Sequence, residues 1–255
     1  MVDSLQRVKA QASEGIILDQ ITNGIKEIWD DQVAGIGIGV PSIVDPRSGT
    51  VYNVQNIPSW TEVELKAHIE NIFHVRVEVN NDANCFALGE KWFGKGQQNE
   101  DLIGLVIGTG IAGGIIIDDR LYAGEKCGAG EFGMLPYKDH YFEYYCSGQF
   151  FTREGGVSGE ELARLALQGD KQAKAVYTQF GHHMGNMIQA ILYALAPSKI
   201  ILGGSISKSY DLFQEAMYKT LADFAFQKIL DALVIETSEH PDISVLGAAG
   251  LVSHE

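Results

Sequence analysis

The sequence predicts an α/β protein that contains several parallel strands. Short β-branched, apolar runs alternate with segments whose apolar residues recur at helical spacing, which indicates strands and helices that follow one another. A glycine-rich turn directly joins two of the β-branched runs and predicts a hairpin. Hydrophobic residues make up 45% of the 255 residues and charged residues 20%, so the chain has the balance of a globular protein with a buried core.

The first third of the chain predicts five elements. The first helix rests on Ile17, Ile21, Ile25 and Ile28, which recur at helical spacing. The predicted elements are, in order, a helix at 15–30, a buried strand at 34–41, a helix at 61–73, a strand at 75–81 and a helix at 82–93. Asp82 is therefore expected where a strand ends and a helix begins.

The remaining two thirds predict a second α/β unit. The β-branched runs on either side of the glycine turn indicate a hairpin, and a loop rich in glycine and tyrosine follows it. The predicted elements are a hairpin at 101–124, a loop at 125–146, mostly helix at 147–195, a strand at 198–204, a helix at 210–226, a strand at 233–238 and a helix at 244–253.

Charge and cysteine content restrict the class of protein. The net charge of −14 disfavours nucleic acid and anionic membranes as partners. Three cysteines, Cys85, Cys127 and Cys146, without close pairing favour a reducing compartment. The N-terminal residues lack the apolar run of a signal peptide, and a run of about 18 apolar residues that could span a membrane is missing too. We therefore expect a soluble cytoplasmic protein.

The glycine turn at residues 108–113 (GTGIAG) matches the pattern G-x-G-x-x-G. A dinucleotide-binding fold requires a helix directly after such a loop, whereas the residues that follow here are β-branched and strand-like. The turn is thus expected inside a hairpin, where successive glycines let backbone N–H groups approach a phosphate. A plain glycine-rich hairpin and an NAD-dependent dehydrogenase remain as alternatives, and the hairpin disfavours the dehydrogenase.

Four segments in order resemble the ROK family (repressor, ORF, kinase). They are GIGIGVPSIVD (35–45), VNNDANCFALGE (79–90), the GTGIAGG loop with the following GAGEFG (128–133), and KIILGGSIS (199–207). The resemblance implies an actin-like ATPase (ribonuclease H-like) fold with two lobes around a cleft. It also implies a sugar kinase or a sugar-responsive repressor. The repressors carry an N-terminal helix-turn-helix for which this chain has no room, so the kinase is favoured.

The resemblance also assigns roles to individual residues. Asp82 matches the catalytic base, and Asn81, Glu131 and Glu143 match ligands of sugar hydroxyls. Weaker matches place Pro41, Ser42 and Asn56 in the wall of the sugar pocket. The positions that match nucleotide-binding elements are Gly108, Thr109, Gly110 and Gly113 in the phosphate loop, and Gly203, Gly204 and Ser205 against the nucleoside. ATP and Mg²⁺ are the expected cofactors, and a homodimer is expected by analogy.

A carboxylate at position 82 suits phosphoryl transfer to an alcohol. A sugar hydroxyl is a poor nucleophile, and a carboxylate within hydrogen-bond reach can orient it and take its proton. By resemblance, the accepting group would often be the 6-hydroxyl. Asp82 could instead serve only as the N-cap of the following helix. Glu131 and Glu143 could likewise be ordinary solvated carboxylates, and the nearby tyrosines at 137, 141, 144 and 145 could simply pack together.

The first departure from the family pattern concerns zinc. Many members have a His after the G-E-x-G segment and a downstream cysteine loop, and together these groups bind a structural zinc. Here Met134 takes the place of that His, and the cysteine loop is shortened to YKDHYFEYYCSG. Cys127, His140 and Cys146 do not match the family spacing, so we predict that the protein binds no zinc. The missing His also removes a sugar contact, so the sugar specificity should differ from that of zinc-containing glucokinases.

The second departure concerns the start of the chain. Family kinases begin with a strand and a D-x-G-G-T turn that contacts the phosphates, and this chain instead starts at a segment, SLQRVKAQ, that resembles the end of the third strand. Two central strands of the first lobe would therefore be missing, which should leave unpaired strand edges. The sequence could be a truncated kinase, could be completed by another chain, or could have lost catalysis. We expect poor ATP turnover from the chain as given.

Two lobes around a cleft are expected from the order of the elements and the resemblance. The incomplete first lobe would comprise residues 1–80 and 243–255, and the second lobe residues 81–242 with the sugar- and nucleotide-binding elements. The favoured function is ATP-dependent phosphorylation of a hexose or hexose-derivative hydroxyl. The alternative is a sugar-binding pseudokinase or regulator that keeps the pocket without turnover.

Overall fold

The computed structural model of the chain describes residues 12–54 and 56–253, and its strands and helices alternate as predicted. The helices are α1 (Glu14–Glu27), α2 (Leu65–Phe73), α3 (Asp82–Phe93), α4 (Phe142–Cys146), α5 (Gly148–Gly155), α6 (Gly159–Leu167), α7 (Lys171–Leu195), α8 (Tyr210–Leu221), α9 (Gln227–Ala232) and α10 (Ile243–Gly250). The strands are β1 (Gly35–Val40), β2 (Ile43–Asp45), β3 (Thr50–Tyr52), β4 (Glu62–Glu64), β5 (Arg76–Asn81), β6 (Leu102–Ile107), β7 (Ile111–Ile117), β8 (Arg120–Leu121), β9 (Pro136–Tyr137), β10 (His140–Tyr141), β11 (Lys199–Gly203) and β12 (Val234–Thr237).

A five-stranded sheet in the order β12-β11-β6-β7-β8 forms the centre of the larger unit. Strands β12, β11 and β6 are parallel, and the antiparallel pair β6–β7 is the hairpin predicted around the glycine turn. Side chains alternate between the two faces of β6, as the period of a strand requires. Ile103, Leu105 and Ile107 join the core beneath α7, whereas Leu102 packs with α3 and α10.

The helix α7 covers one face of this sheet and supplies most of its large core. Met184, Met187, Ile188 and Ile191 of α7 are fully buried against the strands. Buried aromatic side chains extend the same core: Phe150 and Phe151 of α5, Tyr177 and Phe180 of α7 itself, and Phe213 of α8. The helix α6 adds Leu162 and Ala166. The strands of the glycine hairpin, β6 and β7, pack on this core.

The smaller unit is built on the parallel pair β1–β5, whose register aligns Gly35 with Arg76 and Val40 with Asn81. One face of β1 carries the glycines. A Cβ on Gly37 would lie 1.7 Å from the carbonyl oxygen of Ala248, so α10 packs directly onto the strand backbone. The antiparallel strands β2, β3 and β4 extend this unit beyond β1. Since α10 also packs on α3, it joins the two units.

The other edge of β1 borders an apolar groove. Within the described part of the chain, β1 pairs only with β5, as the sequence predicts for an incomplete first lobe. The groove has a volume of about 580 Å³, and its lining includes the whole of β1 and the isoleucine stripe of α1. Aliphatic and aromatic residues, glycine and proline line it, without charged side chains. Ile17 and Leu18 at the start of α1 are buried in the core of this unit with Val40, while Ile21 and Ile25 are only partly buried.

Three predicted elements differ from the structure. The segment at 61–73 begins as strand β4, because Glu62–Glu64 pair with β3, and its helix starts only at Leu65. The helix predicted at 210–226 ends at Leu221, where the chain turns and buries Phe224 in the core. The loop at 125–146 contains the hairpin β9–β10, α4 and two short 3₁₀ helices. These elements are too short to produce a periodic pattern.

Two further points concern the whole chain. Among the residues that the structure describes, none of the helices combines the length and apolar character needed to cross a bilayer. The division into lobes at residues 80 and 243 stays a prediction.

Candidate active site

The junction of β5 and α3 presents Asp82, as the sequence predicts. Asn81 is the N-cap of α3, because its Oδ1 accepts hydrogen bonds from the backbone N–H groups of Ala83 (2.8 Å) and Asn84 (3.3 Å). The alternative in which Asp82 serves as the cap is therefore wrong. Asp82 is the first residue of the helix and is exposed, so its carboxyl group is available for another task.

The environment of Asp82 changes its acidity. Burial by the surrounding protein raises the pKa of Asp82, and the backbone N–H groups of Ala83 and Asp82 oppose this effect in part. The side chain is thus accessible to solvent from one side but crowded by protein on the others. A carboxylate with a raised pKa is a stronger base than an ordinary one, which suits proton abstraction.

Glu131 and Glu143 lie in the same site as Asp82. Burial raises the pKa of Glu131, and the negative charges of Glu143 and Asp82 raise it further. Such repulsion requires the three carboxylates to be near one another in partly desolvated surroundings. The negative charges of Asp82 and Glu143 thus act on Glu131, although the three residues lie as far as 61 positions apart in sequence.

The glycine hairpin meets these carboxylates. The Oε2 atom of Glu143 accepts a hydrogen bond of 3.0 Å from the backbone N–H of Ile111, the first residue of β7. A Cβ on Gly110 would lie 2.5 Å from the same oxygen, so only glycine allows this approach without displacing Glu143. The glycine turn is thus in direct contact with Glu143.

The backbone donors of the turn are unequally available. Gly108 donates to the carbonyl of Gly110 (2.9 Å), and Gly113 donates to the carbonyl of Gly130 (2.9 Å). Gly113 is also buried against the ring of Phe132, so it serves close packing and its N–H cannot reach a phosphate. Within the described residues, the N–H groups of Thr109 and Gly110 have no protein acceptor. These two groups are the donors that the turn can offer to an anion.

The second glycine turn, Gly203–Ser205, lies against the base of the hairpin. Gly204 has φ +86°, and a Cβ there would lie 2.3 Å from the carbonyl oxygen of Ile107. Both the backbone conformation and the close approach therefore require glycine. On the other side, Gly148 at the start of α5 donates to the carbonyl of Gly108 (2.7 Å). The predicted phosphate and nucleoside elements are thus neighbours.

The residues predicted for the wall of the sugar pocket differ in their contacts with the candidate site. The backbone carbonyl of Ser42 accepts a 3.2 Å hydrogen bond from Nδ2 of Asn81, and its hydroxyl donates to the carbonyl of Tyr52. Ser42 is therefore tied to the start of α3. Asn56 is exposed on the loop between β3 and β4, and among the described contacts none joins it to the three carboxylates.

Sequence reasoning missed two contributors to the site. Asn80 is buried, and its Oδ1 accepts from the N–H of Asn81 (2.8 Å) and from Nδ2 of Asn84 (2.9 Å), which fixes the turn that presents Asp82. The signal was the repeated asparagine of N-N-D-A-N. The other is the backbone N–H of Ile111, for which a side-chain pattern gives no signal.

Aromatic side chains pack together in the segment where the sequence departs from the zinc-binding pattern of the family. Tyr137 stacks on Phe142 (4.4 Å between ring centroids), His140 stacks on Tyr144 (3.8 Å), and Tyr145 donates a hydrogen bond to Asp139. These contacts favour the packing interpretation of the tyrosines. In the described ranges there is no group of three or more His, Cys, Asp or Glu residues that could hold a metal ion, and the absence of zinc remains a prediction.

Comparison with known proteins identifies the family. The ROK family model matches residues 2–255. The chain belongs to the ROK family. The relatives of this chain within the family include both kinases and repressors.

The curated relatives of this ROK protein are of both kinds. A xylose repressor of Caldicellulosiruptor bescii is 28% identical over 93% of this chain and 67% of its own length. A relative from Caldicellulosiruptor sp. (strain Rt8B.4), also described as a xylose repressor, is 31% identical over 86% of this chain, and the match covers 62% of that protein. A glucokinase of Halalkalibacterium halodurans is 27% identical over 93% of this chain and 81% of its own length.

Solved structures agree with the fold prediction. A ROK family glucokinase from Streptomyces griseus, in complex with glucose and AMPPNP, is 26% identical, covers 94% of this chain and 88% of its own, and superposes with a TM-score of 0.78. A ROK hexokinase from Thermus thermophilus, at 23% identity and a TM-score of 0.79, shares the fold. The ROK protein described here therefore has the actin-like ATPase fold, as predicted.

Proposed function

We propose that this ROK protein transfers the γ-phosphoryl group of ATP to a hydroxyl of a hexose or hexose derivative, with Asp82 as general base. The observation that carries the proposal is the contact of Glu143 with the glycine hairpin, together with the negative charges of Glu143 and Asp82 that raise the pKa of Glu131. In this proposal the carboxylates accept hydrogen bonds from hydroxyl groups, and the glycine turn offers backbone donors to phosphates. Glucokinase relatives support the same chemistry.

In this proposal the carboxylates divide two tasks. Glu131 and Glu143 accept hydrogen bonds from ring hydroxyls and hold the sugar, while Asp82 orients the reacting hydroxyl and takes its proton as the bond to phosphorus forms. Asn81 has one amide N–H left after its bond to Ser42 and can donate it to the sugar. The proton moves from the sugar oxygen to the Asp82 carboxylate, and ADP leaves with the electron pair of the cleaved bond.

The nucleotide would lie along the two glycine turns. The N–H groups of Thr109 and Gly110, which have no acceptor among the described residues, would donate to phosphate oxygens, and Gly203, Gly204 and Ser205 would form the neighbouring surface for the nucleoside. Mg²⁺ would be held mainly by the phosphate oxygens and water, because the described residues provide no cluster of metal ligands. When bound, it supplies positive charge to the transferring group.

A coupled ADP-release assay over hexoses and N-acetylhexosamines tests this function. We expect the wild type to phosphorylate at least one sugar, and Asp82→Asn to lower kcat by about 10²–10⁴-fold while keeping the sugar Kd. The sugar Kd is measured separately by calorimetry. If Asp82→Asn turns over as fast as the wild type, Asp82 is not the base.

The second candidate is a sugar-binding regulator without turnover. The repressor relatives support it. Sugar binding by calorimetry without ADP release, at saturating ATP and Mg²⁺, would favour this candidate over the kinase.

A further inference from the structure

The first turn of α5 contacts the glycine turn at two consecutive carbonyl groups. The backbone N–H of Gly148 donates to the carbonyl oxygen of Gly108 at 2.7 Å, and Nε2 of Gln149 donates to the carbonyl oxygen of Thr109 at 3.5 Å. A Cβ on Gly148 would lie 2.9 Å from the same oxygen of Gly108, so glycine allows the helix to approach this closely. The side chain of Gln149 is exposed, and its amide reaches back over the turn.

These two carbonyls belong to the peptide units that carry the available donors. A peptide unit is planar and trans, so its C=O and its N–H point in opposite directions. The carbonyl of Gly108 shares a peptide unit with the N–H of Thr109, and the carbonyl of Thr109 shares one with the N–H of Gly110. Because both carbonyls point to α5, both N–H groups point away from the helix, and they have no protein acceptor within the described ranges.

The glycine turn needs such anchors to keep one conformation. Glycines on both sides of Thr109 allow backbone angles that other residues rarely adopt, so the two peptide units could rotate at little steric cost. The helix α5 is itself held in place, because Phe150 and Phe151 are fully buried in the core. Donors that are fixed before a ligand arrives bind it with a smaller loss of conformational freedom.

The next peptide unit of the turn is fixed without α5. The carbonyl of Gly110 accepts a 2.9 Å hydrogen bond from the N–H of Gly108, and the N–H of Ile111 in the same peptide unit donates to Glu143 at 3.0 Å. The turn therefore contains two peptide units that α5 holds and a third that is held within the turn. Rotation of the peptide unit beside Gln149 would leave the contact with Glu143 in place.

We propose that Gln149 is a positioning residue of the nucleotide site, which holds the peptide unit between Thr109 and Gly110 so that the N–H of Gly110 faces a phosphate oxygen. The side chain acts through the backbone of the turn and does not touch the sugar. This inference rests on the proposed function, since it assumes that phosphates bind at this turn. It adds a residue whose loss weakens the nucleotide and spares the sugar.

Calorimetry with AMPPNP and Mg²⁺ tests the inference on Gln149→Met. Methionine is unbranched like glutamine and has a similar helix propensity, but it has no N–H to donate. We expect the Kd for AMPPNP to rise about threefold, the low end for one hydrogen bond, because the contact of 3.5 Å is long. The Tm and the Kd of the most tightly bound sugar should not change, whereas a merely structural role would alter the Tm and both constants.

Gln97→Met is the matched control. Nε2 of Gln97 also donates to a backbone carbonyl, that of Gly94 at 3.1 Å, but it lies beyond the end of α3 opposite to Asp82. This variant should leave both constants and the Tm unchanged. If Gln149→Met binds AMPPNP as tightly as the wild type, or loses the sugar and AMPPNP alike, the inference is wrong and the proposed function still stands. If the wild type binds no AMPPNP, the proposed function is wrong as well.

Discussion

At the scale of single residues, the turn from β5 to α3 gives different roles to two adjacent residues. Asn81 caps the helix, and Asp82 is thereby left to face the cleft. Asn80 is buried behind both residues and fixes the turn through two hydrogen bonds. Burial then raises the pKa of Asp82. The negative charge of its carboxylate is therefore less stable in the folded chain than in the unfolded chain.

The raised pKa of Asp82 predicts a pH-dependent effect on stability. Protonation stabilises the folded state fully below the unfolded pKa of about 3.9, and this contribution is lost as pH rises through the higher folded pKa. At pH 7, Asp82→Asn should therefore raise the Tm relative to the wild type, and the difference should shrink as the pH falls through the folded pKa. Thermal unfolding followed by circular dichroism between pH 3 and 8 measures this.

Asp223→Asn, at an exposed carboxyl group beyond α8, is the control and should not raise the Tm at pH 7. A lower Tm for Asp82→Asn at pH 7 would show that the Asp82 carboxylate stabilises the fold, contrary to the proposal.

At the scale of elements, the hairpin β6–β7 connects the two ends of the cleft. Its turn lies beside Gly204 and Gly148, and its second strand begins with the N–H group that holds Glu143. Any change that moves this turn should therefore alter the binding of the sugar at the carboxylates as well as the binding of the nucleotide.

Gly110→Ala should weaken sugar binding by about tenfold, or about 1.4 kcal/mol. The new Cβ would lie 2.5 Å from Oε2 of Glu143 and would push this carboxylate away from the N–H of Ile111. Gly108→Ala, two residues earlier, meets no atom within 4 Å and should leave the sugar Kd unchanged. Calorimetry with the best sugar compares the two variants, and equal constants would refute the proposed contact.

The contact of β1 with α10 makes a prediction about stability. Gly37→Ala would place a Cβ 1.7 Å from the carbonyl of Ala248, and such overpacking should lower the free energy of unfolding by about 1–3 kcal/mol or more. Gly15→Ala, in the first turn of α1 with open space around it, should instead raise this free energy by up to about 1 kcal/mol. Urea unfolding measures both, and a neutral Gly37→Ala would contradict the close packing.

At the scale of the whole molecule, the most unusual feature is a groove where a sheet would be expected to continue. The stripe of α1 and the face of β1 line it with apolar groups, and a free strand edge runs along it in the described chain. Exposed apolar surface and unpaired backbone groups are both unfavourable. A strand that covered the groove should therefore stabilise the folded chain.

An N-terminal extension that supplies a strand pair with a D-x-G-G-T turn should raise both the Tm and the rate of ADP release. The added strand would pair with β1 and cover the groove, so binding of the dye ANS should decrease as well. A glycine–serine extension of the same length is the control and should change none of the three. Equal ADP release with and without the strand pair would refute the expectation that the chain as given turns over poorly.

The sequence was most informative where local patterns and family motifs coincide. It located α3 at residues 82–93, both strands of the glycine hairpin, and Asp82 at the start of a helix. It was least informative between residues 125 and 146, where the elements are short and long-range packing decides their conformation. A sequence motif also does not show that the N–H groups of Gly108 and Gly113 are already bonded to protein carbonyls.

The sequence by itself determined the family of this protein, the order of its elements, and the residue types that could bind a sugar and a nucleotide. Only the tertiary structure decided that Asn81 rather than Asp82 caps α3, that Glu143 contacts the glycine turn, and that the charges of Asp82 and Glu143 act on Glu131. The physical reason is the range of the interactions. Periodicity and turn chemistry act between residues a few positions apart, whereas charge repulsion and packing act between residues that meet only when the chain folds.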